Sequence, residues 1–452
     1  MPQIRGSKTA LQPPDPVDLL RDLVRFDTSN PPGNERPLLK FVARLLDAAG
    51  IEPQFVARQA ERPNLVARLP GRGDRPPLLL YGHVDVVPAR PEEWCHPPFG
   101  GELVGEEIWG RGALDMKSGV AMLIAALMRI AAGETRPPGD VLLVLTSDEE
   151  RGSELGAKFL VEEHAFLFEG VRYGITESGG FTTWIGGRPF YPIQVAEKQA
   201  CTIRATIRGP GGHPSTVVRE TALARLGRLL TALYRRRLPV HVTPLVRQML
   251  SAMASELPLA RRLALRPLLV PRLTDRVLAL FGEEGRSLEP LLHNTATATV
   301  VRGGESANVI PTEVTVELDG RVLPGQTPAD LVRELEALVP GLANFEVVRE
   351  EPAVPATPDL TLLPLLERII RELDPRGVPF PLVLPGYTDA RHFARLGIQT
   401  YGFLPLKLPR GFPAGLVHAP DERVPAEAVR FGADCLYEAL HRYGPMHSGS
   451  PV

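Results

Sequence analysis

Cysteine is scarce: Cys95, Cys201 and Cys435 are the only three in 452 residues. An odd, widely spaced set excludes a disulfide framework and a CxxC metal knuckle, and it suits a reducing compartment. Charge of one sign is also lacking. With 51 Lys and Arg against 53 Asp and Glu, the formal net charge is −2, which removes the electrostatic case for nucleic acid or an anionic membrane as partner. No uncharged apolar run approaches the ~18 residues of a membrane span, and the opening MPQIRGSKTALQPPDP lacks the apolar stretch of a secretory leader. A cytoplasmic protein with no membrane partner is the expectation. No internal repeat is visible. What the chain does have is size: 452 residues, 44% of them hydrophobic, are too many for one ordinary core and predict two domains.

The organising stretch is Val141–Gly152, VLLVLTSDEERG. Its first six residues show no polar/apolar alternation, as in a strand covered on both faces. The run then breaks into Ser147, Asp148, Glu149 and Glu150. Adjacent acids at the end of a buried strand repel one another unless cations bind there or some acids stay protonated; a solvated loop is the plain alternative. Strands expected at 64–69, 78–81, 141–146 and 171–176 alternate with helices at 16–26, 38–49, 120–132 and 154–163. That order predicts an α/β fold, a helix-covered and largely parallel sheet. Residues 193–208 alternate instead, in the manner of antiparallel strands. A helix over 221–237, a Leu/Arg-rich region to 281 and strands at 294–301 and 313–318 follow, before strand–helix alternation resumes past Leu323-Pro324-Gly325. The expected organisation is one domain over 1–195 and 324–452, interrupted by an inserted α+β domain over 196–323.

Candidate chemistry collects at strand ends and Gly-rich loops. In Tyr81-Gly82-His83-Val84-Asp85 the i, i+2 spacing puts His83 and Asp85 on one side, where the carboxylate can support the imidazole. Trp109-Gly110-Arg111-Gly112-Ala113-Leu114-Asp115 delivers Asp115 just before a helix, where it could simply cap. Glu177 ends another strand, and His418 stands in a loop before the last helix. Two histidines and three carboxylates from separated segments make an N/O shell for a pair of divalent cations, suited to zinc, with cobalt or manganese as alternatives. Glu149 and Glu150 are neighbours and cannot easily hold the same ion. One is left to face water, whose proton a free carboxylate beside a cation pair can accept.

The ordered set YGHVDVVP, GRGALDMKSG, SDEERG, TESGG and VHAPDE resembles the M20 metallopeptidase/amidohydrolase family over almost the whole chain. The resemblance implies two Zn2+ ions, His83 and Glu177 on one, Glu150 and His418 on the other, Asp115 bridging, Glu149 as general base and Asp85 supporting His83. It implies a cis peptide after Asp115. It makes the insert a lid or dimerisation domain whose loop Gly209-Pro210-Gly211-Gly212-His213-Pro214-Ser215 sends His213 to the developing oxyanion, often across a homodimer. By the same likeness Asn308 hydrogen-bonds the substrate, Arg321 grips its carboxylate, and Gly386 lies in a substrate-cleft loop with Arg391 nearby, either in the cleft or as a helix-surface charge. The Leu/Arg-rich stretch 257–280 then supplies lid helices. Glu at 177, together with Val195-Ala196-Glu197-Lys198, leans toward members of aminoacylase or carboxypeptidase character. The implied activity is hydrolysis of the amide bond of small carboxylate-bearing substrates, N-acyl amino acids or short peptides. A dipeptidase of the same family is the runner-up, and a metal-free scaffold relative is the alternative from another class. The remaining histidines lack an acid partner in sequence and are read as structural or exposed.

Overall fold

In the computed structural model, residues 12–353, 355–413 and 415–443 are described. The chain divides into two compact units, one of residues up to Val195 with Asp359–Phe380 and Thr388 onward, the other of Ala196–Pro358 with Pro381–Tyr387.

The first unit is built on a mixed sheet. Its strands run in the order Pro53–Val56, Asn64–Leu69, Val141–Thr146, Leu78–His83, Tyr173–Thr176, Gln399–Gly402, Arg188–Glu197 and Val378–Leu384, with Thr183–Ile185 paired to Arg188–Glu197. The four at the centre, from Val141–Thr146 to Gln399–Gly402, are parallel, while the flanking pairs at Asn64–Leu69 and Arg188–Glu197 are antiparallel. Both Leu78–His83 and Val141–Thr146 are buried along their whole length, which explains their unbroken apolar run. On one face Leu79, Tyr81, Leu142 and Val144 pack with Phe159, Leu160, Phe168 and Phe393. The helix Lys117–Ala132 packs against the same central strands and against Ala426–Arg442. Enclosed on almost every side, it is apolar all round rather than striped, as a buried helix must be.

The second unit carries a four-stranded antiparallel sheet in the order Thr295–Arg302, Glu313–Val322, Gln199–Arg208, Asn344–Glu350. Inward-facing Ile203, Ala205, Ile207, Val314, Val316 and Leu318 meet Leu226 and Leu229 of one helix and Leu331 and Leu335 of another. The helix Pro328–Leu338 starts with a Thr327/Asp330 capping box. It lies on this sheet, and Asn344–Glu350 pairs with Gln199–Arg208. The expected end of the insert at 323 is therefore too early: the unit runs on to Pro358. Strand–helix alternation resumes at 324, but the strand it produces completes the antiparallel sheet. Local pattern does not say which sheet a strand joins.

A small three-stranded sheet, Glu102–Val104, Glu107–Trp109 and Arg423–Pro425, was not expected from sequence. Its register sets Trp109 opposite Arg423, which brings the approach to the last helix beside the loop that carries Asp115.

Candidate metal centre

Three adjacent parallel strands end at one edge of the first unit's sheet, the edge where open α/β sheets hold their ligands. His83 closes Leu78–His83 and sits opposite Thr146. Glu149 and Glu150 follow Thr146 across a turn, and Glu177 follows Tyr173–Thr176. Asp115 and His418 come to the same place on loops.

The side chains meet closely. His83 Nε2 lies 3.1 Å from Asp115 Oδ1 and 3.5 Å from Glu177 Oε2. His418 Nε2 lies 3.3 Å from Asp115 Oδ2 and 3.2 Å from Glu150 Oε1. One oxygen of Asp115 thus faces each histidine. Within 4.8 Å, ligand atoms gather as His83, Asp115 and Glu177, as Asp115, Glu150 and His418, and as His83, Glu149 and Glu150. The Asp115–Met116 peptide is cis.

The expected link between His83 and Asp85 takes a different form. His83 Nδ1 is 3.0 Å from the main-chain oxygen of Asp85 and 3.6 Å from its carboxylate. That carboxylate instead accepts the backbone amides of Glu149 at 3.1 Å and Glu150 at 3.2 Å, and Asn30 Nδ2 at 2.9 Å. Asp85 therefore fixes the turn that presents both glutamates. The third acid of the triplet, Asp148, belongs to none of these ligand groups. It adopts a left-handed φ of 73° and takes bonds from Asn30 Nδ2 and Arg62 Nη1, so one of three mutually repelling charges is neutralised locally.

Buried charge dominates the electrostatics. Burial, then Glu177, pushes Glu149 well above the ordinary carboxylate range against the pull of His83. Burial likewise raises Glu177 against its bonds to His83. In Asp115, burial is outweighed by His418 and His83, and the carboxyl is held low. For His83 burial opposes protonation, yet bonds to Asp115, Asp85 and Glu177 lift it well above its usual value. Asp115 and Glu150 lift His418 to about 10. The cluster takes up positive charge. Glu177 Oε1 is buried without a hydrogen-bond partner, and an orphaned buried acceptor in a set of two imidazoles and several carboxylates fits divalent cations of the zinc type.

Five residues to which sequence reading assigned no role hold this geometry. Glu422, fully buried, accepts the amides of Gly112, Leu114 and Asp115 at 3.0, 2.6 and 3.1 Å. Arg111 bonds Glu422 at 2.7 Å and the carbonyls of His418 and Ala419 at 3.2 Å each. Together they knot the Asp115 loop to the His418 loop. Gly112 makes the turn at φ +87°, where a Cβ would lie 2.8 Å from Val86 Cγ1. Asn30 bridges Asp85 and Asp148, and buried Asp389 accepts bonds from Tyr81 and Ser153. The available signal was that Arg111, Gly112 and Glu422 fall inside the motif stretches, Asp389 between Gly386 and Arg391 in the cleft-loop stretch, and Asn30 in the turn Asn30-Pro31-Pro32-Gly33. Arg391, left open between cleft and helix surface, is buried and bonds the Thr388 carbonyl at 2.6 Å.

The other expected site residues, His213, Asn308, Arg321 and Gly386, belong to the second unit. His213 Nδ1 is 2.7 Å from Ser215 Oγ on an exposed loop. Asn308 Oδ1 accepts from Ser306 Oγ. Arg321 holds both oxygens of Asp319 at 2.6 and 2.9 Å, lies 4.4 Å from the Tyr387 ring centre, and keeps a buried Nη1 with no hydrogen-bond partner.

The profile of peptidase family M20/M25/M40 matches residues 79–442. Succinyl-diaminopimelate desuccinylase of Paracoccus denitrificans is 28% identical over 446 residues, 95% of this chain and 98% of that protein. The human N-fatty-acyl-amino acid synthase/hydrolase PM20D1 is 27% identical over 376 residues, 80% of this chain and 73% of that protein. Among solved structures, the M20 family metallo-carboxypeptidase Sso-CP2 of Sulfolobus solfataricus superposes with a TM-score of 0.65 at 17% identity, covering 95% of this chain and 99% of that one. At that identity the likeness speaks for the fold.

Proposed function

This chain belongs to peptidase family M20/M25/M40, and from that premise we propose that it is a di-zinc hydrolase cleaving the amide bond of small carboxylate-bearing substrates, N-acyl amino acids or short peptides. One observation carries the reading: Asp115 turns one oxygen to His83, which Glu177 also approaches, and the other to His418, which Glu150 also approaches, an arrangement that suits a carboxylate shared by two cations. His83 and Glu177 would hold one ion, Glu150 and His418 the other. Such ions acidify water and polarise the substrate carbonyl.

Glu149 is the acid left over, presented by Asp85. It takes a proton from the attacking water and returns it to the leaving nitrogen. The water oxygen ends in the new carboxylate, the C–N bond breaks, and a free amine departs. In the second unit we assign His213 to stabilise the oxyanion, Asn308 and the Gly386 loop to bind substrate, and Arg321 to take its carboxylate through the free Nη1. A homodimer formed through that unit, in a cytoplasmic setting, belongs to the same proposal. The names of the desuccinylase and the acyl-amino acid hydrolase relatives support an acylated amino acid over a plain peptide.

A panel of N-acetyl amino acids and dipeptides, run after loading with zinc or cobalt, tests this. Turnover of the acylated series, abolished by chelation and restored by metal, is expected. Activity indifferent to chelation, or none with two equivalents of metal bound, contradicts it.

A further inference from the structure

Beside the turn that carries Glu149 and Glu150, and wholly within the first unit, the Arg62 guanidinium stands between two buried acids. Arg62 leads into the strand Asn64–Leu69. Its Nε lies 3.0 Å from Glu35 Oε2 and 3.2 Å from Oε1, and its Nη2 also donates to Oε1. Its Nη1 donates to Asp148 Oδ1 at 3.2 Å. The Glu35 side chain is fully buried, that of Asp148 is 8% exposed and that of Arg62 12%. Gly33 makes room for the guanidinium: it turns at φ +83°, and a Cβ there would lie 2.2 Å from Arg62 Nε.

Glu35 needs only one edge of that guanidinium. The far nitrogen is spent on Asp148, the residue that opens the turn, and from there the bonds run on to the proposed base. Asp148 Oδ1 also takes Asn30 Nδ2 at 3.1 Å, the same amide donates to Asp85 at 2.9 Å, and Asp85 receives the main-chain N–H groups of Glu149 and Glu150. The other Asp148 oxygen accepts the Leu155 amide at 3.2 Å, and its carbonyl accepts the Ser153 amide at 2.7 Å. Asp148 thus ties the start of the turn to its end while holding a φ of 73°, a backbone region that an L-residue keeps only where its surroundings impose it. A planar fork of donors can hold two carboxylates in fixed directions at once, whereas an ammonium is a point charge on a flexible stem.

We propose that Arg62 is a positioning residue: anchored by Glu35, it fixes Asp148 and so the direction in which the turn presents Glu149 and Glu150. The roles of those two glutamates are taken from the hydrolase reading above, on which this inference rests. Arg62 acts through Asp148, Asn30 and Asp85, so its loss misdirects the base. A displacement of about 1 Å at a reacting group costs on the order of 10²-fold in rate, and substrate affinity is left alone.

Two variants of the full chain test this, each loaded with zinc and assayed on the best substrate of the panel. Arg62→Lys keeps a cation for Glu35 but gives up the fork. Glu35→Gln/Arg62→Gln removes the pair together, so that Glu35 is not left charged and alone. Expected in both is a kcat lower by about 10–100-fold at unchanged KM. In the same zinc-loaded proteins, amide hydrogen exchange over 148–153 should quicken by about tenfold while that of Val141–Thr146 stays as in the wild type. Wild-type kcat and wild-type exchange in either variant overturn the inference and leave the hydrolase standing. So does a kcat that falls only in step with the folded fraction, which makes the pair a support of the fold alone. No turnover by the zinc-loaded wild type overturns the hydrolase reading, and the role given to Arg62 with it.

Discussion

Buried charge is satisfied differently in the two units. The first unit gathers Asp85, Glu149, Glu177 and Asp389 out of solvent around one histidine pair, with Glu177 Oε1 left without a partner. The second buries one cation, Lys198, whose ammonium meets the carbonyl of His293 at 2.9 Å, that of Pro290 at 3.1 Å and Thr295 Oγ1 at 3.3 Å. Three donors meet three acceptors, so the lysine asks for nothing from outside and serves as a structural bolt. The acids are different: His83 and His418 offset part of their mutual repulsion, yet Glu177 Oε1 still lacks a partner. Unfinished pairing, more than burial, separates a site from a support.

The sharpest way to break this comparison is to remove an acid that is not a proposed ligand. Glu149→Ala is expected to lower kcat/KM by about 10²–10⁴-fold, the worth of a general base, while zinc analysis still finds two equivalents. Loss of metal together with activity would make Glu149 a ligand instead. Next in size is the stabilisation that the unfinished cluster should draw from metal. Free zinc at a hundred times its dissociation constant adds about 2.7 kcal/mol, read as a rise in melting temperature. Asp115→Ala, which takes the shared carboxylate from both ions, should lose that rise.

Smallest is the bolt. Lys198→Met leaves two carbonyls and a hydroxyl unsatisfied and is expected to cost about 1–3 kcal/mol at neutral pH, with zinc binding untouched. Burial, then Arg321, brings the Lys198 ammonium down to about 7. The unfolded chain, with a lysine near 10.4, binds more protons between those two values, so this group makes stability rise with pH across that window. Denaturant unfolding of the wild type and Lys198→Met from pH 7 to 10 checks it: the variant should lack that part of the rise. Parallel pH curves would show that the three acceptors hold the lysine charged throughout.

Much of the fold was legible because its periods are local. The unbroken run of Val141–Thr146 marks a strand covered on both faces, and the alternation over 199–208 marks one covered on a single face. The short strands Pro53–Val56 and Glu102–Val104 escaped because four or three residues carry too little pattern. The boundary near 323 was misplaced because sheet membership is a long-range property: Asn344–Glu350 reads the same whichever partner it finds.

For the site, residue type and motif order alone put His83, Asp115, Glu149, Glu150, Glu177 and His418 on the page, since strand ends and Gly-rich loops can be read along the chain. Only the folded chain could decide that the Asp85 carboxylate grips the glutamate turn while its carbonyl meets His83, that Glu422 and Arg111 tie two loops together, and that an apolar cavity opens beside the cluster. Chemistry is carried by side chains, which a sequence names. Direction, partnership and empty space arise from contacts between segments hundreds of residues apart, which it does not.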